Sequence, residues 1–197
     1  MDERANLLQE TPSRRVTDSL VANARLDQET PESRSSVVSL RRRIYAANIQ
    51  GSGNAKIPDL KIRTAGSDFK VLFETNRKPG GENSINLDCQ AISLAASEDK
   101  GLAYGTAVMC AKYNPECDLI TKLPGVEITA ITQQVCDTIR MTVIGGYRSP
   151  SMRVDSTKCW YQKLRELIDA RVNAGDDIII VAMDDNSSDK AGRPYRT

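Results

Sequence analysis

Histidine is absent from this chain of 197 residues. That absence excludes a Ser-His-Asp triad, a Cys-His pair and any histidine general base within it, and it argues against a zinc site. The five cysteines (Cys89, Cys110, Cys117, Cys136 and Cys159) are odd in number and never form a Cys-x-x-Cys pair. Met1-Asp2-Glu3-Arg4 lacks the apolar core of an export signal, so the cysteines read as reduced thiols and the expected compartment is intracellular, cytoplasm or nucleus. No apolar run approaches the roughly 20 residues that span a bilayer. Charge of one sign is not in excess either. With 27 basic and 26 acidic residues the formal charge is +1, so the chain as a whole exerts no strong pull on nucleic acid or membrane. Its length suffices for one domain with a real core and something more.

Residues 1–38 contain no glycine and no aromatic residue. They are dense in Arg, Glu, Asp, Ser and Thr, and carry the short echo Gln9-Glu10-Thr11-Pro12 and Gln28-Glu29-Thr30-Pro31. Too little apolar surface is present to offset the entropy of ordering, which predicts a disordered or weakly helical arm; residues 39–197 then form the folded domain. Leu7, Leu8, Leu20 and Val21 offer the arm a transient amphipathic or docking segment.

What the remainder contains is a series of strand patterns. Ile44–Ile49 follows the basic run Arg41-Arg42-Arg43, which reads as a solvated flank or a phosphate-backbone contact. Gly51-Ser52-Gly53-Asn54 break the pattern, and a short helix is expected after Pro58 from Ile57, Leu60 and Ile62. Phe69-Lys70-Val71-Leu72-Phe73 alternates as a strand with one apolar face and ends at Glu74. Pro79-Gly80-Gly81 follow, then a stretch expected to be partly helical around Ala91, Leu94 and Ala95. Thr106–Cys110, Val126–Thr132 and Thr138–Ile144 are three further strands in succession, which suggests antiparallel meander pairing. Trp160, Leu164, Leu167 and Ile168 fall on one face of a helix over 156–173, with Ser156 as its N-cap and Gly175 as its stop. Last comes Ile178-Ile179-Ile180-Val181-Ala182-Met183, an apolar run that reads as a strand buried on both faces and runs directly into Asp184-Asp185-Asn186.

Taken alone, Asp184-Asp185-Asn186 is most simply a turn after a core strand. Yet several strands end in polar groups of one chemical kind: Asn48, Glu74, Tyr147 with Arg148, then Asp184 and Asn186. If these ends converge, the set suits phosphodiester chemistry. The hard carboxylate oxygens of Glu74 and Asp184 favour Mg²⁺ or Mn²⁺ as metal ligands. Tyr147 and Arg148 are donors for phosphate oxygens, and Asn48 or Asn186 is suited to hold the phosphate or the attacking water.

The succession Asn48, Glu74-Thr75, Tyr147-Arg148-Ser149-Pro150, a helix, and Met183-Asp184-Asp185-Asn186 resembles the endonuclease/exonuclease/phosphatase superfamily, and most nearly the endonuclease domains of non-LTR retrotransposons. The resemblance covers roughly residues 40–190. It implies an α/β fold, a four-layer sandwich of two mixed sheets flanked by helices. It also implies Mg²⁺-dependent cleavage of phosphodiesters, with Asn48, Glu74, Tyr147, Asp184 and Asn186 catalytic, Arg148 on the substrate phosphate, and Glu74 and Asp184 on the metal. The implied partner is nucleic acid, DNA in preference to RNA, with no membrane. There are departures. Met183 and Asp185 stand where the family has the Gly and Phe of a Gly-Asp-Phe-Asn motif, and Phe73 stands where Gln is frequent. Two further strands follow in the family, ending in an Asp and an Asp-His pair, whereas this sequence stops at Thr197, eleven residues after Asn186. The expectation is therefore a domain incomplete at its C-terminus, impaired as a nuclease, with an exposed sheet edge that self-associates or is covered by a partner chain. The alternative is a non-catalytic scaffold or nucleic-acid-binding derivative of the same fold within a larger polyprotein or assembly. A small-molecule phosphatase is a remoter third.

Overall fold

A computed structural model describes residues 41–50, 56–77, 85–96 and 105–186. The expected arm over 1–38, the break at Gly51–Asn54 and the turn at Pro79–Gly81 lie outside the described residues.

Two mixed four-stranded sheets make an α/β fold. The first contains β1 (Ile44–Asn48), β2 (Phe69–Phe73), β3 (Ala91–Ala96) and β4 (Gly105–Cys110), in the order β1-β2-β4-β3. The second contains β5 (Leu119–Lys122), β6 (Ile128–Cys136), β7 (Ile139–Tyr147) and β8 (Ile178–Asp184), in that order. Each sheet has one parallel pair, β1 with β2 and β7 with β8, and the remaining pairs are antiparallel. Of the three strands expected to pair as a meander, only Val126–Thr132 and Thr138–Ile144 do so, as β6 and β7; Thr106–Cys110 is β4 of the other sheet, and the short β5 precedes β6 in its place. Helices α1 (Ile57–Arg63) and α2 (Val154–Asn173) lie on the outer faces.

The layers follow from the period-two alternation of the strands. Phe69, Val71 and Phe73 of β2 face inward, and so do Val108 and Cys110 of β4, Ile131 of β6, and Met141, Val143 and Tyr147 of β7. They form the core between the sheets. Leu72, Ala107, Met109 and Leu94 face out against Leu60 of α1 and the segment Ile85–Cys89. On the second sheet Ile128, Ala130 and Ile144 face out against Trp160, Leu164 and Leu167 of α2. β2 is thus buried on both faces and not on one. Its one basic residue, Lys70, reaches the carbonyl of Leu87 at 2.6 Å and Cys89 Sγ at 3.3 Å.

The sequence expectations fail at four further points. Ala91, Leu94 and Ala95 are not helical: β3 pairs antiparallel with β4 over its whole length, and that pairing overrides a helix-like spacing. β5 has only four residues, none of them buried, and carries no alternating apolar signal. Helix α2 starts earlier than expected, with Arg153 and not Ser156 at its N-cap and no side-chain capping bond. β8 is not buried on both faces. Among the described residues it is an edge strand of its sheet, and Val181 and Met183 remain 38% and 41% exposed.

Gly145 and Gly146 set how closely the layers approach. A Cβ at Gly145 would stand 2.8 Å from Thr106 and Val108 side chains and 2.9 Å from Val71, all on the opposite sheet. A Cβ at Gly146 would stand 3.0 Å from the Trp160 ring on the other face. Gly145→Ala is therefore expected to push the sheets apart and cost about 1–3 kcal/mol of stability. Gly146→Ala should cost less, because one ring edge has to shift and not three side chains. Urea unfolding with an unchanged denaturant slope checks both values; equal stability of Gly145→Ala and the parent chain would contradict the packing argument.

Candidate functional site

The two parallel strand pairs bring the site together. β1 and β2 run side by side with Asn48 opposite Phe73, so Asn48 and Glu74 leave the first sheet at the same corner. β7 and β8 do the same in the second sheet, with Tyr147 opposite Asp184. Two hydrogen bonds then cross between the sheets. The Asn48 amide donates to Asp184 Oδ2 at 2.7 Å, and the Tyr147 hydroxyl donates to Glu74 Oε1 at 2.6 Å. Four of the sequence-derived residues, Asn48, Glu74, Tyr147 and Asp184, therefore form one closed ring through these two bonds and the two strand pairings.

The backbone leaves each strand in an unusual way. Of the five described non-glycine residues with positive φ, Gln50, Glu74, Asn76 and Asn186 all follow these strand ends; only Asp88 lies elsewhere. Left-handed backbone is uncommon outside glycine, most of all for a glutamate, and such conformations collect where a side chain must be aimed. Asn48 Oδ1 accepts the amide of Gln50 at 2.8 Å, which fixes the orientation of the Asn48 side chain and turns its NH₂ toward Asp184. Asn186 donates to the carbonyl of Arg148 at 3.1 Å, while the Arg148 amide donates to the carbonyl of Asp184 at 3.0 Å. These bonds tie the turn after β8 to the turn after β7.

Arg148 is placed differently from the rest. Its Nε donates to Asp185 Oδ1 at 2.8 Å, and its side chain is only 9% exposed. The Tyr161 hydroxyl, from α2, donates to the same Asp185 oxygen at 2.6 Å. Arg148 is thus engaged within the protein by Asp185, and Asp185 and Tyr161 are the members of this corner that sequence reasoning gave no role. Asp185 stood out only as a departure from an expected Phe. Tyr161 fell off the apolar stripe of α2, which marked it as a polar-face aromatic and nothing more. Burial, reinforced by the bond to Asp185 and its negative charge, raises the Tyr161 hydroxyl above its ordinary value.

Among the described residues no group of three or more acidic, cysteine or histidine side chains is arranged to hold a metal. What the corner supplies is two carboxylates, Glu74 and Asp184, each with one oxygen fixed by a donor and a second with no hydrogen bond among the described residues. This donor set fits a magnesium-like ion, which commonly takes one or two protein carboxylates and completes its shell with water and substrate phosphate.

No protein-family model matches the chain, and no curated protein does. Among solved structures it is similar to the endonuclease domain of TRAS1, a telomere-specific non-LTR retrotransposon, with a TM-score of 0.44 and 14% identity over 75% of this chain. It spans 60% of the length of that chain.

The Arg148–Asp185–Tyr161 chain of contacts has a measurable cost of removal. Asp185→Ala leaves a nearly buried guanidinium without this acceptor and is expected to destabilise by about 2 kcal/mol; Tyr161→Phe should cost about 1 kcal/mol. In the Asp185→Ala background Tyr161→Phe should cost nothing more, as a double-mutant cycle would show. The pH dependence has a definite sign. The folded state holds the Tyr161 proton more tightly than the unfolded chain does. The stability gained is therefore full below the ordinary tyrosine value of about 10, and lost as pH rises through the higher folded value. The gap between the parent chain and Tyr161→Phe should close on that alkaline side.

Proposed function

We propose that this chain is a metal-dependent phosphodiesterase domain of the endonuclease/exonuclease/phosphatase type, acting on nucleic acid, with DNA preferred. The observation that best supports this reading is the closure of Asn48, Glu74, Tyr147 and Asp184 into one ring across two sheets, at residues singled out beforehand from the sequence. Glu74 and Asp184 would hold a divalent ion, Mg²⁺ or Mn²⁺, whose contribution when bound would be to polarise a phosphoryl oxygen. The protein's own groups do the remaining work. Asn48 holds Asp184 in one orientation, and Tyr147 does the same for Glu74, so both carboxylates are positioned before substrate arrives. Asn186, braced on the Arg148 carbonyl, keeps its own side-chain oxygen for a water or a phosphate-bound proton. Arg148 is paired with Asp185 through its Nε, so a contact to the substrate phosphate would fall to its terminal guanidinium nitrogens. The sequence has no imidazole to take the proton of the attacking water. Proton removal falls to a carboxylate or to solvent, and the rate is expected to be lower by on the order of 10²–10⁴ than with a positioned base.

Plasmid nicking with the complete chain tests the reading. Slow, Mg²⁺-dependent nicking is expected, abolished by EDTA and reduced about a hundredfold or more in Asp184→Ala and Glu74→Gln. Calorimetric Mg²⁺ titration gives a second readout, in which both variants should lose the binding that the parent chain shows. A parent chain that neither nicks nor binds Mg²⁺ would sink the proposal in favour of a non-catalytic scaffold.

The reading extends to association. β8 is an edge strand of six uncharged residues before Asp184, with exposed Val181 and Met183 and no proline or lysine to block pairing. Self-association through that edge is expected. Sedimentation should show a concentration-dependent dimer that Val181→Lys converts to monomer; a monomer at all concentrations would rule the edge out.

A further inference from the structure

A cleft of about 320 Å³ lies between β1 and α1, on the outer face of the first sheet. Its apolar lining includes Ile49 and Leu60, both buried, and Tyr45 adds an aromatic ring. Lys56 and Arg63 bring cationic groups, and Arg63 is held by Asp59 at 2.8 Å. Among the described residues no carboxylate is paired with Lys56. Asn48 also lines this cleft, and it is the residue whose amide holds Asp184 in the corner described above. The cleft and the corner therefore share a wall.

We propose that this cleft is a subsite for one unpaired nucleotide next to the phosphodiester held at the corner. The proposal rests on the phosphodiesterase reading for its orientation, but not for its existence. The chemistry of the lining selects the ligand. An apolar floor with an aromatic ring accepts a flat heteroaromatic base, and stacking on such a ring is tolerant of base identity. Lys56 at the rim neutralises the phosphate that follows the base. Size limits the ligand further: about 320 Å³ is at the small end of ligand sites, enough for one nucleotide and too little for a base pair. The expected substrate class is therefore a nucleic acid with a single-stranded or opened segment at the cut, in preference to an intact duplex.

Fluorescence anisotropy of a short fluorescein-labelled single-stranded oligodeoxynucleotide, with the complete chain and no divalent metal, tests this apart from cleavage. Tyr45→Ala and Lys56→Glu should each weaken single-strand binding about tenfold or more, while Tyr45→Phe, which keeps the ring, binds nearly as the parent chain does. The matching duplex should bind more weakly and respond less to Tyr45→Ala. Lys56 is exposed, so Lys56→Glu stays informative if Tyr45→Ala fails to fold. Folded variants that bind the single strand as the parent does would overturn the subsite, as would no binding by the parent itself. Failure of the phosphodiesterase reading looks different. In that case the parent does not cleave, yet its binding still depends on Tyr45 and Lys56, and the subsite stands.

Discussion

The distance between the two sheets at the end of β7 governs everything built on that end. Gly145 lets Val71, Thr106 and Val108 of the first sheet close onto the second with no side chain between them. Two residues along the same strand, Tyr147 points the same way and is fully buried, with only its hydroxyl reaching the opposite sheet. Tyr147 has a rigid ring, so the Tyr147–Glu74 bond at 2.6 Å depends on the sheets staying close. Gly146 serves the reverse face, where Trp160 lies flush against the strand and brings α2, and with it Tyr161, over the corner. Two adjacent glycines thus determine both the depth of the site and the position of the helix above it.

Around that close approach the polar groups divide into two sets with different work. Glu74 and Asp184 are each held by one neutral donor and keep an oxygen for something else. Arg148, Asp185 and Tyr161 are satisfied among themselves, a buried positive charge with its partner close by, as burial of a charge requires. At the other end of β7 and β8 a third polar group is wholly structural. The fully buried Asp176 carboxylate is shared by Thr142, by Arg171 at 3.5 Å and by Arg140 at 3.8 Å. The two ends differ in charge: two guanidiniums face one carboxylate at the Asp176 end, whereas neutral donors hold Glu74 and Asp184 at the other.

Much of this was legible in the sequence, for physical reasons. β2, β4, β6 and β7 are readable as strands because their inward residues fill the common core while the alternate ones pack outward, and α2 shows its stripe because Trp160, Leu164 and Leu167 cover a sheet. The corner residues were legible only as a set: a polar residue after an apolar strand is most simply a turn, and it is the recurrence of Asn48, Glu74, Tyr147 with Arg148, and Asp184 at successive strand ends that marks them. β3 was not, since Ala91, Leu94 and Ala95 satisfy helical and extended spacing equally and only the partner strand decides. β8 misled because six apolar residues are the same signal at a sheet's centre and at its edge. Tyr161 and Asp185 were beyond reach in another way: their meaning depends on how α2 is set over the turn after β8, 24 positions away in sequence. No periodicity carries that information.

The two bonds that close the ring are not equivalent. Tyr147–Glu74 joins inner strands, β7 and β2, each with neighbours on both sides, whereas Asn48–Asp184 joins β1 and β8, one of the two edge strands of each sheet among the described residues. Edge strands open locally at lower free energy than the strands they flank. The link between residues 48 and 184 also closes the longest loop among the described side-chain hydrogen bonds, 136 positions. Loss of the pairing at β1 or β8 would part Asn48 from Asp184 and leave that carboxylate without its donor, while Glu74 would stay bonded to Tyr147 between inner strands.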